Sequence, residues 1–121
     1  MKKILIVDDE QDIVESLKFV LENEGYTCYT ALNGEDGLAS AKELLPDLII
    51  LDIMMPKING YKICRLLKFD NKYKNIPIIM LTARSQEEDK LIGNETGANE
   101  YITKPFDLEF VINKVNQYLK D

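Results

Sequence analysis

The chain has 121 residues, of which 45% are apolar and 30% charged, and fifteen basic against twenty-one acidic side chains leave a net charge of −6. That size and mixture describe one globular domain over residues 1–121 with enough apolar surface for a single core. The acidic balance argues against this domain gripping nucleic acid, and the absence of histidine excludes a Ser-His-Asp triad, a Cys-His dyad, a His-liganded metal and a histidine phosphocarrier.

The elements follow in chain order. Ile4-Leu5-Ile6-Val7 is a continuous apolar run, the pattern of a strand covered on both faces. Ile13, Leu17, Val20, Leu21 and Glu24 mark a helix stopped by Gly25, a natural left-handed cap. Thr27-Cys28-Tyr29-Thr30-Ala31 predicts a second strand. Asn33-Gly34 opens a second helix that runs toward Leu45 and is closed by Pro46-Asp47. Leu48-Ile49-Ile50-Leu51 predicts the third strand, and a third helix follows Gly60 with Ile63, Leu66 and Leu67 inward. Ile78-Ile79-Met80-Leu81 predicts the fourth strand. A weaker helical pattern spans residues 86–96, opened by Glu87-Glu88-Asp89 and anchored only by Leu91 and Ile92, with Gly93 interrupting. Tyr101-Ile102-Thr103 predicts the fifth strand. A last helix begins at Asp107, with Leu108, Val111, Ile112, Val115 and Leu119 forming a clean stripe.

No apolar stretch approaches the ~20 residues of a membrane span. Met1-Lys2-Lys3 and the short run after it give way at once to Asp8-Asp9-Glu10, which argues against a secretory leader. Cys28 and Cys64 form neither a CxxC pair nor a disulfide framework; they read as small buried hydrophobes in a reducing cytoplasm.

Alternating βα units with short loops predict right-handed crossovers and an α/β, doubly wound parallel sheet. Five strands suit the flavodoxin-like (βα)5 order 2-1-3-4-5, whose ligands sit outside the carboxyl ends of the strands. The unusual polar residues fall there. Asp8 and Asp9 follow the first strand, Asp52 ends the third, Thr82 ends the fourth and Lys104 follows the fifth. Three carboxylates converging in one crevice repel one another. Lys104 offsets one charge, and a hard divalent cation completes the balance; Mg²⁺ suits one or two carboxylates with waters and a phosphate oxygen. Cation, ammonium and hydroxyl around a carboxylate are the parts that stabilise phosphoryl transfer.

From Lys3 to Leu119 the chain resembles the receiver domains of two-component response regulators. The resemblance is carried by Ile6-Val7-Asp8-Asp9-Glu10, Asp52-Ile53-Met54-Met55-Pro56 with Gly60, Leu81-Thr82-Ala83, and Lys104-Pro105-Phe106. It implies that Asp52 is the nucleophile and accepts a phosphoryl group from a sensor histidine kinase. It further implies that Asp9, Asp52 and the Met54 carbonyl bind Mg²⁺ while Asp8 acts through metal-bound water. Lys104, the Thr82 hydroxyl and the Ala83 N–H would hold the phosphoryl oxygens, and the Lys104-Pro105 bond would be cis. Thr82 and Tyr101 would be the switch residues, repacking the surface of the fourth helix, fifth strand and fifth helix. Such a domain signals rather than turns over a substrate, catalysing only its own phosphorylation and a slow autodephosphorylation. Met54 and Arg84 would border the path of hydrolytic water and retard it.

Two other readings fit less well. A flavodoxin-like FMN carrier needs a phosphate-cradling loop after the first strand, where this chain has Asp8-Asp9-Glu10-Gln11-Asp12. An aspartyl-phosphate phosphatase would carry a DxD pattern on the first strand, but here the two acids are adjacent. Residues 97–107 resemble receivers of winged-helix transcription factors, which commonly dimerise through the fourth helix, fifth strand and fifth helix. Lys90, Glu100 and Lys114 could charge that face, while Phe110 stands where an acidic partner often occurs. A standalone phosphorelay protein and an excised receiver are both compatible with the sequence.

Overall fold

Strands β1 (Lys3–Val7), β2 (Thr27–Ala31), β3 (Leu48–Asp52), β4 (Ile78–Thr82) and β5 (Glu100–Thr103) form one sheet in the order β2-β1-β3-β4-β5, and every pairing is parallel. The computed structural model describes residues 1–83 and 97–120. The helix expected over residues 86–96, and with it Arg84 and Lys90, lies outside the described residues.

Alternation along each strand sends neighbouring side chains to opposite faces, and two cores result. Ile4, Ile6, Ile50, Ile79, Leu81 and Ile102 pack under α1 (Gln11–Asn23) and the C-terminal helix (Leu108–Leu119). Leu5, Val7, Ile49, Leu51, Ile78 and Met80 pack under α2 (Gly34–Leu44) and α3 (Gly60–Lys68). Because β3 and β4 are wholly buried, they read as unbroken apolar runs. Both cysteines are free and buried. Burial, aided by Glu22 and opposed by Lys18, pushes the Cys28 thiol up to about 12. Among the described residues no helix is long and apolar enough to cross a membrane.

Side-chain caps set the helix starts. Asn33 accepts from the Asp36 amide at 2.8 Å, Asn59 from Lys62 at 3.0 Å and Asp107 from Glu109 at 2.9 Å. After α1, Gly25 takes φ +100°, a left-handed conformation favouring glycine. Two details of the sequence reading are corrected. On α3 the inward stripe is Gly60, Ile63, Cys64 and Leu67, whereas Leu66 is exposed. At about 100° per residue, Gly60, Ile63, Leu67 and Cys64 fall within one arc of about 100°, and Leu66 lies about 60° outside it. On α1 it is Val14 that is buried, with Ile13 only half-buried.

Candidate functional site

The register of the parallel sheet brings the polar residues together. Val7 pairs with Leu51, so the next residue, Asp8, stands beside Asp52. Asp52 pairs with Leu81 and Thr82 with Thr103, which places Lys104 one step farther along the same edge. Backbone hydrogen bonds fix each position: Asp8 N–H donates to the Ala31 carbonyl at 3.2 Å, Ile53 N–H to Leu81 at 3.0 Å and Lys104 N–H to Thr82 at 2.6 Å.

Asp8 and Asp52 are 0% and 3% exposed, while Asp9 is exposed. One oxygen from each of the three carboxylates lies within 4.8 Å of the others. The Lys104 ammonium reaches into this cluster, 2.9 Å from Asp8 Oδ2, 3.2 Å from Glu10 Oε1 and 3.4 Å from Asp52 Oδ1. Its approach to Asp8 is short but off the hydrogen-bond direction, so among the described residues buried Oδ2 has a charge partner and no directed donor. The contact with Glu10 does have hydrogen-bond geometry. Asp8 Oδ1 accepts from the Glu10 amide at 2.9 Å.

This arrangement sets the protonation states. Burial first, then the field of Asp8, push the Asp52 carboxyl up to about 6, against the pull of Lys104 and the Met54 amide. Burial alone would lower the Lys104 pKa. Its contact with Asp8, the fields of Asp8 and Asp52 and the bond to Glu10 together hold it above the ordinary lysine value. The Lys104 ammonium is thus held charged beside Asp52. An all-oxygen donor set containing a buried oxygen without a directed donor fits a hard divalent cation.

The β3–α3 loop runs beside Asp52. Its Met54 amide makes a long contact of 3.4 Å with Asp52 Oδ1, and the Met54 side chain is 59% exposed. Gly60 closes the loop by donating to the Ile53 carbonyl at 2.9 Å. A Cβ on Gly60 would run into the Asp52 carbonyl, and one on Gly34 would run into the Ile58 carbonyl. Thr82 is buried at the end of β4, with exposed Ala83 beyond it. Tyr101 is half-buried against the core under α2 and α3. The Lys104-Pro105 peptide bond is cis.

The structure thus gathers Asp8, Asp9, Asp52 and Lys104 at one spot and adds Glu10, which the sequence reading quoted beside the acidic pair but gave no role in the site. The available signal was its place directly after the acidic pair. Its pairing with Lys104, 94 positions away, follows from the sheet order and not from spacing.

A parallel five-stranded sheet with this site at its carboxyl edge is the frame of a class of signalling domain, and comparison with known proteins gives the family. The response regulator receiver domain model matches residues 4–116, and the chain belongs to that family. It is similar to the DNA-binding dual master transcriptional regulator RpaA of a Synechocystis species, with 42% identity over 120 residues, covering 99% of this chain and 50% of that protein. It is similar as well to the alkaline phosphatase synthesis transcriptional regulatory protein PhoP of Bacillus subtilis, with 45% identity over 119 residues, covering 98% of this chain and 49% of that one. The chain spans about half the length of these curated relatives. Among solved structures, the chemotaxis protein CheY4 of Vibrio cholerae superposes with a TM-score of 0.92 at 34% identity, covering 98% of this chain and 99% of that one.

Proposed function

We propose that residues 1–121 form a single receiver that takes a phosphoryl group from the phosphohistidine of a sensor kinase onto Asp52 and works in the cytoplasm. The observation that carries this reading is the Lys104 ammonium held between buried Asp8 and Asp52, at 2.9 and 3.4 Å, inside an oxygen cluster suited to a cation. An Asp52 oxygen bonds to phosphorus as the P–N bond of the donor breaks. The electron pair leaves on the imidazole nitrogen, which takes a proton from water. Positioning and charge neutralisation supply most of the acceleration.

When bound by Asp9, Asp52 and the Met54 carbonyl, with Asp8 acting through water, Mg²⁺ would neutralise charge on the phosphoryl oxygens. Lys104 pairs with those oxygens, and the Thr82 hydroxyl and Ala83 N–H donate to them. The product is an acyl phosphate, which water cleaves at the P–O bond. Exposed Met54 flanks the approach of that water and keeps autodephosphorylation slow.

Phosphorylation adds roughly −1.5 to −2 charges beside Thr82. Thr82 and Tyr101 pass that change to the surface of β5 and the C-terminal helix, which controls an output partner or a second copy of the chain. On that surface Glu100 meets Lys114 at 3.6 Å and accepts from Tyr118 at 3.2 Å, while Lys114 lies over the Phe110 ring at 5.6 Å. Charged and aromatic groups are thus both available to a partner.

Intact-mass spectrometry after incubation with acetyl phosphate tests the assignment. One phosphoryl group is expected on the wild type in Mg²⁺, and none in EDTA or in Asp52→Asn. Equal labelling of Asp52→Asn would overturn the assignment.

A further inference from the structure

Glu10 does two things at once. Its amide holds Asp8 Oδ1 at 2.9 Å, and its carboxylate accepts a hydrogen bond from the Lys104 ammonium at 3.2 Å. It occupies the N-cap position of α1 yet makes no side-chain cap bond, so its carboxylate serves the lysine instead of the helix. The other two carboxylates near that ammonium, Asp8 and Asp52, are buried, whereas the Glu10 side chain is 60% exposed. Of the three partners, Glu10 is the one that water can replace at little cost.

Resting on the phosphoacceptor reading above, we infer that Glu10 is a positioning residue that tethers Lys104 in the unphosphorylated protein and must surrender it when a phosphoryl group arrives on Asp52. A tetrahedral anion there brings three acceptor oxygens to the ammonium. Lys104 turns toward them, and the Glu10 carboxylate returns to water. The tether therefore opposes loading of the anion while it draws positive charge away from Asp52. Removing it should have opposite effects on the two ligands of the site: tighter binding of the anion, and weaker binding of a bare cation as the freed ammonium settles on Asp8 and Asp52.

Calorimetric titration of Glu10→Gln and Glu10→Asp tests this. Glutamine keeps the size and removes the charge. Aspartate keeps the charge but is one methylene shorter than the contact needs. With saturating Mg²⁺, both variants are expected to bind beryllofluoride about two- to fivefold more tightly than wild type, the range of a partly exposed ion pair. In Glu10→Gln, Mg²⁺ alone should bind about twofold more weakly, and both effects should shrink in molar salt. A purely structural role would shift both ligands the same way, together with the melting temperature. Unchanged or weaker beryllofluoride binding by Glu10→Gln, or a Glu10→Asp variant that behaves as wild type, would overturn the tether and leave the phosphoacceptor reading standing. Failure of wild-type protein to bind beryllofluoride would remove both.

Discussion

The backbone N–H of Lys104 donates to the Thr82 carbonyl at 2.6 Å, so the residue that supplies the site's ammonium is fastened to the residue that supplies its hydroxyl. One strand earlier the same edge repeats the device, with Ile53 N–H donating to Leu81 at 3.0 Å next to Asp52. The end of β4 therefore sets both the Asp52 carboxylate and its counter-ion. A shift of Thr82 is felt on both sides of it.

Replacing the ammonium exposes how much it compensates. Lys104→Met would leave Asp8 and Asp52 buried together without a cation, and removing one partner of a buried charge set is costly. A loss of about 1–3 kcal/mol is expected in urea denaturation at pH 7 in EDTA. The Lys104 pKa is raised in the folded state, so its stabilisation is complete below the ordinary lysine pKa and fades as pH climbs through the raised value. Mg²⁺ should bind the variant more tightly than wild type, because lysine and cation compete for the same oxygens. An undiminished urea midpoint would contradict this picture.

Asp52 carries the opposite sign. Its carboxyl is raised from 3.8 to about 6 by burial and by Asp8. Well below pH 3.8 it is protonated in both folded and unfolded chains and costs nothing. Between roughly pH 4 and 6 the unfolded chain loses the proton first, so stability falls as pH rises, and above that window the full penalty persists. At 1.36 kcal/mol per pH unit the penalty is at most about 3 kcal/mol. Asp52→Asn should therefore be about 1–3 kcal/mol more stable than wild type at pH 7 in EDTA, with the difference shrinking as pH falls and vanishing only well below the ordinary carboxyl pKa. Denaturation midpoints across that range check the direction.

Gly60 should resist even the smallest enlargement. A methyl group there collides with backbone of Asp52 and Ile53, which cannot step aside as a flexible side chain would. Gly60→Ala is expected to cost about 1–3 kcal/mol and to slow labelling by acetyl phosphate, because the collision falls on Asp52, the proposed nucleophile. Gly25→Ala provides the comparison. It meets no atom within 4 Å and is strained only by φ +100°, so it should lose about 1 kcal/mol and label normally.

Much of this molecule is legible in the sequence. The unbroken runs of β1, β3 and β4 announce strands buried on both faces, and that pattern, with short loops, leads to the sheet order and to the edge where Asp8, Asp52, Thr82 and Lys104 stand. What stays hidden depends on rotation and reach. Leu66 turns outward because Cys64 completes the buried stripe of α3. Glu10 shows no role in the site until the sheet brings Lys104 across to it. The tight passages at Gly34 and Gly60 likewise arise only when loop and helix meet.

The most direct measurement is chemical location of the phosphoryl group. Protein treated with acetyl phosphate and Mg²⁺, then reduced with borohydride, should yield homoserine at position 52 and at no other aspartate when its peptides are sequenced by mass spectrometry. Homoserine at Asp8 or Asp9, or a stable phosphoester on a hydroxyl residue in its place, would contradict the assignment of Asp52 as the acceptor.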